Sequence, residues 1–428
     1  MKRIAFYTLG CKVNQADTAS MEAIFRSHGY TVVGFNCEAD IYVINTCVVT
    51  NTGQRKSRQM INRAVRRNPT AFVVVTGCYP QTAAEEVKTI PGVDLIIGNQ
   101  DRADIVRLVE EAAAFQSVDT IDSVRKLSAN TEFEELSAGD VSDKTRAFLK
   151  IQEGCNQFCT YCIIPFARGP LRSRSLKLVA SGYKEIVLIG IHLGCYGKEH
   201  DGKLTLFDAV EAALSVEGLQ RLRLGSLESV EVEARLLNLM EKDKRLCRQL
   251  HLPLQAGCDT TLARMHRPYD TRRFTELLAD IRKRIPDIAI TTDIIAGFPG
   301  ETEEEFASTL VFAENCGFSK MHIFPYSKRK GTPAEKMPNQ IPETVKQRRC
   351  AQLAELDHKQ QQKFLERFVG SAVEVLFEQT VEDGYIEGLT SNYLRVYVRS
   401  EAELCGKIRK VRLLKAETSF LIGELLKE

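Results

Sequence analysis

Six of the thirteen cysteines in this 428-residue chain fall into two patterns that chemistry can use. Cys155, Cys159 and Cys162 share one short run, Cys155-Asn-Gln-Phe-Cys159-Thr-Tyr-Cys162, so a single loop can turn three thiolates toward one point. A structural zinc site takes four ligands, and no His or Cys close by in sequence supplies the fourth. Three thiolates on a four-iron cluster leave one iron open, a vacancy that can bind a substrate. Three buried small side chains, or a zinc loop with a distant fourth ligand, are the competing readings. Cys11, Cys47 and Cys78 are scattered, yet each stands just beyond an apolar run, at 4–9, 41–45 and 72–76. If those runs are parallel strands, the cysteines occupy the carboxyl ends that line the ligand crevice of an open α/β sheet. They can then meet at one point; each can equally be an inert buried thiol. Cys37, Cys195, Cys247, Cys258, Cys316, Cys350 and Cys405 show no such pattern and read as structural.

The elements that must position these thiols can be read from the surrounding pattern. The length exceeds what one core organises and predicts two or three domains. In residues 1–113 the apolar runs alternate with helical patterns at 17–28 and 54–67, which predicts a doubly wound parallel sheet. Residues 114–144 fade into Ser, Asp and Glu and read as a linker. A second alternation fills 145–366, with strands at 147–152, 186–191, 221–225, 249–254, 288–295 and 320–326 and helices including 207–214, Thr271–Arg284 and Glu303–Cys316. Six units make a partial (β/α)6 barrel, and its C-terminal mouth is where barrel enzymes place chemistry. After a helix at 342–368, residues 367–428 carry short strands at 372–378, 384–390, 393–398 and 407–414, a small antiparallel β-barrel in outline. Thirteen thiols argue for metal or redox chemistry rather than a disulfide framework. No apolar run approaches the roughly 18 residues a membrane span needs. The start, Met1-Lys2-Arg3-Ile4-Ala5-Phe6, lacks the shape of a signal peptide. The expectation is a cytoplasmic protein with no membrane partner.

The cysteine loop resembles the radical S-adenosylmethionine (SAM) signature, and Tyr7-Thr-Leu-Gly-Cys11-Lys-Val-Asn-Gln15, Asn45-Thr-Cys47 and Gly77-Cys78 resemble the three signatures of the methylthiotransferase family. The terminal barrel is similar to a TRAM domain. The resemblance implies two 4Fe-4S clusters, one on Cys155, Cys159 and Cys162 and a second on Cys11, Cys47 and Cys78. It implies that SAM binds the first through its amino and carboxylate groups and is split to a 5′-deoxyadenosyl radical, with Tyr161 against the adenine. It implies further that one SAM methylates a sulfur on the second cluster and that the radical from another removes hydrogen from C2 of a tRNA adenosine. An unactivated aromatic C–H is the kind of bond for which a cofactor must supply the hard step. An electron donor such as flavodoxin or ferredoxin is implied as a partner.

Other positions fit around that frame. Gly297-Phe298-Pro299-Gly300-Glu301 follows a predicted strand and opens a helix. It is either a tight turn or a set of N–H groups facing a ligand, and it resembles the family's motif beside the SAM adenine. Ser226 and Glu228 offer a hydroxyl and a carboxylate at the mouth, with a helix N-cap as the alternative for Ser226. Gln255 can face the cavity. Arg172 and Arg174 resemble an Arg-Ser-Arg that binds the SAM carboxylate; solvated charges are the alternative. Arg55, Lys56, Arg58, Arg63, Arg66 and Arg67 load one predicted helix with positive charge, and Lys407, Arg409, Lys410, Arg412 and Lys415 load the terminal barrel. Two basic patches suit the phosphates of a folded RNA, here the anticodon stem-loop of tRNA. Pro165-Phe-Ala-Arg168-Gly169 and the first cysteine signature most resemble the type acting on N6-threonylcarbamoyladenosine. Another tRNA adenosine, a ribosomal protein residue, or an inactive cluster-containing RNA binder are the alternatives. One departure bears on activity: only Ser-Leu-Lys-Leu-Val-Ala-Ser separates Arg174 from Gly182, where a parallel crossover needs about a dozen residues. Ala256, where the family commonly has Ser, is milder.

Overall fold

A computed structural model describes residues 2–115, 119–136, 145–176, 184–200 and 203–427. Its first sheet uses β1 (Arg3–Thr8), β2 (Thr31–Val33), β3 (Ile41–Thr46), β4 (Phe72–Gly77), β5 (Leu95–Ile97) and β6 (Ile121–Ser123), in the order β2-β1-β3-β4-β5-β6 with every pair parallel. All six residues of β3 are buried, as expected of a strand covered on both faces. The helices α1 (Lys12–Ser27), α2 (Asn51–Arg67), α3 (Cys78–Lys88) and α4 (Ile105–Phe115) supply that cover. Strand order reverses between β1 and β3, the switch point where such sheets open a crevice beyond the strands' carboxyl ends. In this sheet the strands absent from the sequence reading, β2, β5 and β6, have three residues each, too few for a period to register. β6 lies inside the segment expected to be a linker and adds an edge to the sheet.

The second unit runs β7 (Arg146–Glu153), α5 (Ile164–Arg168), β8 (Arg172–Ser173), β9 (Glu185–Gly190), α6 (Leu206–Leu214), β10 (Arg221–Leu224), α7 (Ala234–Lys242), β11 (Gln249–His251), α8 (Asp259–Arg264), α9 (Thr271–Arg284), β12 (Ala289–Ala296), α10 (Glu303–Cys316), β13 (Lys320–Pro325) and α11 (Glu343–Glu366). Six parallel strands follow the order β7-β9-β10-β11-β12-β13, with β10 and β11 joined by the bridges Leu222–Leu246 and Ser226–His251. Two-residue β8 adds an antiparallel edge to β7. The open (β/α)6 arrangement expected from the sequence is therefore present. The abbreviated crossover between Arg174 and Gly182 falls on 177–183, outside the described residues.

The outer faces of the strands pack on helices in one large apolar core that takes in Leu149, Leu188, Leu224, Val210, Phe274 and Phe306. The inner faces are covered differently along the barrel. At β9, Val187 and Ile189 pack on Val13 and Ala16 of α1, so the first domain fills that end. At β10, Arg221 and Arg223 send buried guanidinium groups to backbone carbonyls of the terminal barrel. That barrel closes as β14 (Ala372–Thr380), β15 (Tyr385–Thr390), β16 (Arg395–Arg399), β18 (Leu421–Leu425) and β17 (Ile408–Ala416). Four of its five pairings are antiparallel, and β16–β18 is parallel. The fifth strand closes the ring and leaves no free edge.

Candidate active site at the seam of two domains

Cys11 follows β1 and stands at the start of α1, Cys47 follows β3, and Cys78 follows β4 as the first residue of α3. The first two flank the switch point. Asn14 locks this corner by donating to the carbonyls of Leu9 (2.8 Å) and Thr46 (3.0 Å), so the ends of β1 and β3 cannot splay. Gly10 is obligatory here: its φ is +102°, and a Cβ would sit 3.0 Å from Cys47 Cβ. The three thiols lie close enough to feel one another's charge. Burial pushes Cys47 up to about 11 and raises Cys11 as well. Without a metal these two thiols hold their protons at neutral pH, and metal binding must release them.

Cys155, Cys159 and Cys162 occupy the loop after β7, and they too interact mutually. Burial pushes Cys162 up to about 12. Phe158 holds φ +48° within the loop, a left-handed conformation that side chains seldom adopt and that turns the chain sharply. The cation at this triad is Arg267, which the sequence reading passed over. Its Nη1 donates to Cys159 Sγ at 3.1 Å and its Nη2 pairs with Glu228. Tyr161 lies edge-on to Phe298, ring centroids 6.4 Å apart, and Phe298 meets Tyr326 in the same manner.

No histidine stands close to this loop in sequence, but the fold brings one there: His192 Nδ1 is 3.4 Å from Cys155 Sγ. Its Nε2 faces Glu231 at 2.8 Å and Cys195 at 3.5 Å, so Cys195 belongs to a polar cluster rather than to the apolar core. His192 reaches the loop from beyond β9, which no local spacing could announce.

The remaining candidates are placed as follows. Ser226 is exposed beyond β10 and is not a helix N-cap. Gln255 is buried with φ +67°, bridged to Ile294; strained backbone of this kind persists where surroundings over-determine it. Gly297 and Gly300 both have positive φ, but the Gly297 N–H is taken by Glu301 Oε2 at 2.7 Å. Glu301 Oε1 is left without a partner while buried. Pro299 completes that turn. Arg172 donates to the carbonyls of Arg168 and Pro170, and Arg174 pairs with Glu135 at 2.8 Å; neither side chain hydrogen-bonds to the cysteine loop.

On the inner face of β11–β13 a polar wall stays uncovered. His251 Nδ1 contacts Thr291 Oγ1 at 2.9 Å, its Nε2 lies 3.4 Å from Asp293, and its ring is 5.6 Å from that of His322. Register pairs Asp293 with His322 and Ile295 with Phe324, so these side chains share one face. Phe324 is 43% exposed.

The seam between the two triads is built of charge. Arg168 of α5, fully buried, donates from Nε to Cys78 Sγ at 3.3 Å and from Nη1 to Asp17 (3.1 Å) and Glu153 (3.0 Å). Lys150 reaches Asp17 at 2.6 Å, and Arg102 joins Asp17 and Glu134. Val48, Cys78, Ile163 and Ala167 close the same seam with apolar contact.

An open (β/α)6 barrel with three clustered cysteines at its mouth defines the radical SAM class, and residues 149–313 match the model described as the radical SAM superfamily. Residues 3–98 match the model described as uncharacterized protein family UPF0004. Among solved structures, the radical SAM methyltransferase TsrM of Kitasatospora setae shares the fold at TM-score 0.56 and 14% identity, over 78% of this chain and 77% of that one. The threonylcarbamoyladenosine tRNA methylthiotransferase MtaB of Bacillus subtilis is 41% identical over 100% of this chain and 97% of its own length. MtaB of Aquifex aeolicus is 38% identical over 96% of this chain and 99% of its own. The chain therefore belongs to the radical SAM methylthiotransferase family.

The donor sets suit the clusters this family implies. Each triad offers three soft thiols and, from its own loops, no fourth cysteine. Soft thiolate sets of this kind select iron–sulfur clusters or zinc, and an incomplete set leaves one metal position open.

Proposed function

We propose that this protein adds a methylthio group to C2 of N6-threonylcarbamoyladenosine beside the tRNA anticodon. The observation that carries the reading is the convergence of two separate cysteine triads on one domain seam, where Arg168 of one domain touches Cys78 of the other. Cys155, Cys159 and Cys162 would hold the cluster that binds SAM, and Cys11, Cys47 and Cys78 a second 4Fe-4S cluster. When bound, these groups supply a 5′-deoxyadenosyl radical and a transferable methylated sulfur.

The chain's own residues bind, orient and exclude water. Tyr161, steadied edge-on by fully buried Phe298, offers aromatic surface to the SAM adenine. Glu228, pinned by Arg267, is positioned for an ammonium group, and exposed Ser226 for a hydroxyl. The wall of His251, Asp293, His322 and Phe324 faces the inner groove and would receive the target base, Phe324 by stacking and the polar groups by hydrogen bonds. The basic face of α2 begins beside Cys47 and would carry the phosphates of the anticodon stem. A first domain that takes in the edge strand β6, a barrel over 145–366 and a terminal barrel over 367–428, a cytoplasmic setting, and a flavodoxin or ferredoxin as electron source complete the reading. No helix is long and apolar enough to cross a membrane among the described residues.

The test is nucleoside mass spectrometry on tRNA from a host lacking the modification, complemented with this gene. A methylthio-threonylcarbamoyladenosine peak, lost with Cys155→Ala and with Cys47→Ala, is the expected result. No peak from soluble, iron-loaded protein would overturn the reading; a methylthio group on another adenosine or on a ribosomal protein would reassign the substrate.

A further inference from the structure

Each cysteine triad has one arginine against one of its sulfurs: Arg267 on Cys159 at 3.1 Å and Arg168 on Cys78 at 3.3 Å. The second is the more unusual. Arg168 belongs to α5 of the barrel, while Cys78 belongs to the first domain. The guanidinium is fully buried and every arm is used. Nε faces the sulfur, Nη1 is shared by Asp17 and Glu153, and Nη2 meets Asn14. Asn99 adds a weaker contact to the same sulfur at 3.7 Å while holding the Ala167 carbonyl at 2.7 Å. A planar, fixed fork of this kind cannot swing away as a lysine can.

We infer that Arg168 is a positioning residue that donates a hydrogen bond to the Cys78 sulfur when that cysteine ligates the second cluster, holding the cluster at a less negative potential and tying it to the docking of the two domains. The inference rests on the assignment of Cys11, Cys47 and Cys78 as cluster ligands. One-electron reduction adds negative charge that is spread over the ligand sulfurs. A buried N–H···S contact from a cation stabilises that charge, since hydrogen bonds to the sulfurs are among the terms that set cluster potentials. Asp17 and Glu153 pin the guanidinium from opposite sides of the seam, so the contact exists only when the domains are joined.

The experiment uses the full chain carrying Cys155→Ala, Cys159→Ala and Cys162→Ala, which leaves one cluster to observe. The protein is reconstituted and titrated with dithionite while the electron paramagnetic resonance signal is followed. Adding Arg168→Lys should shift the midpoint potential to more negative values, whereas Arg267→Lys should leave it unchanged. An unshifted potential in an iron-loaded Arg168→Lys protein overturns the inference. Should that variant fail to fold, the parent triple variant grown with guanidinium-15N arginine supplies the readout. Its reduced cluster should show a weak 15N coupling in pulsed resonance, and absence of that coupling overturns the inference equally. A triple variant that binds no cluster at all fails the ligand assignment instead.

Discussion

Gly77 shows how much of the site rests on backbone that tolerates no side chain. Its φ is +95°, and a Cβ would lie 2.5 Å from Asn45 Oδ1 and 2.7 Å from the Thr46 carbonyl. The second obstacle is backbone and cannot yield, so Gly77→Ala must displace Cys78. Iron per chain is expected to fall by about half, from two four-iron clusters to one, while far-ultraviolet circular dichroism stays near that of the parent. Asp17 makes the complementary point about buried charge. Burial alone would raise its carboxyl, but Arg102, Lys150 and Arg168 together hold it well below the usual range, and Glu153 is lowered by the same cations. A depressed carboxylate stabilises the fold fully above its unfolded value of about 3.9. That stabilisation is lost as pH falls through the folded value. Asp17→Asn should cost about 3–5 kcal/mol at neutral pH, since it leaves buried cations unpaired. In urea titrations of cluster-free protein the two midpoints should converge as pH drops below about 4. The cysteines were legible because their chemistry is carried by type and spacing. Arg168, Arg267 and His192 were not, because each meets its sulfur across 90, 108 and 37 positions of sequence. Spacing reports what one loop can gather, not what a seam brings together.

At the scale of elements, α2 separates structural charge from available charge. Ser57, Ile61 and Ala64 are buried and set its inner face. Arg58 is engaged with Tyr79 and Glu86, and Arg63 with Asn36. Arg55, Lys56 and Arg66 are exposed and form no ion pair among the described residues. The terminal barrel is less free: Lys407 donates to the Glu403 carbonyl, and Lys415 pairs with Glu417. Replacing Arg55, Lys56 and Arg66 by Glu should therefore weaken tRNA binding more than Lys410→Glu with Lys415→Glu. If each meets one phosphate, the slope of log affinity against log salt falls by up to about 3, as filter binding over a salt series would measure. The open wall of the barrel gives a second expectation. His322→Ala should raise KM for tRNA with little change in iron content, and an unchanged KM would remove that wall from the base pocket. Long periodic elements such as α2, α9 and β12 were readable in advance. Strands β2, β5, β6, β8 and β18 were not, because pairing partners rather than local period create them.

In the whole molecule, the terminal barrel is held by cations of the central barrel placed on its backbone carbonyls. Arg223 of β10 bonds Glu185 at 2.8 Å, donates to the Ser391 and Thr390 carbonyls, and lies 4.3 Å from the Tyr393 ring centroid. Phe364 and Leu365 of α11 and Phe368 just past its end run into the core of the terminal barrel, joined there by Ala289. The last domain is therefore fixed to the barrel by both apolar packing and buried hydrogen bonds from Arg221 and Arg223 to its carbonyls. Arg223→Met removes the cation but leaves Glu185 buried, a change that costs about 3–5 kcal/mol when a buried pair is broken on one side. The loss should appear locally. Amide hydrogen exchange in the 385–399 hairpin is expected to speed up, whereas β1, β3 and β4 exchange as in the parent and iron content is unchanged. Activity on tRNA should fall through KM rather than kcat, since the damaged contact orients a binding surface and touches neither triad. Equal acceleration of exchange in the first domain would mean instead that the three units unfold as one, and that the docking of the terminal barrel is inseparable from the stability of the site.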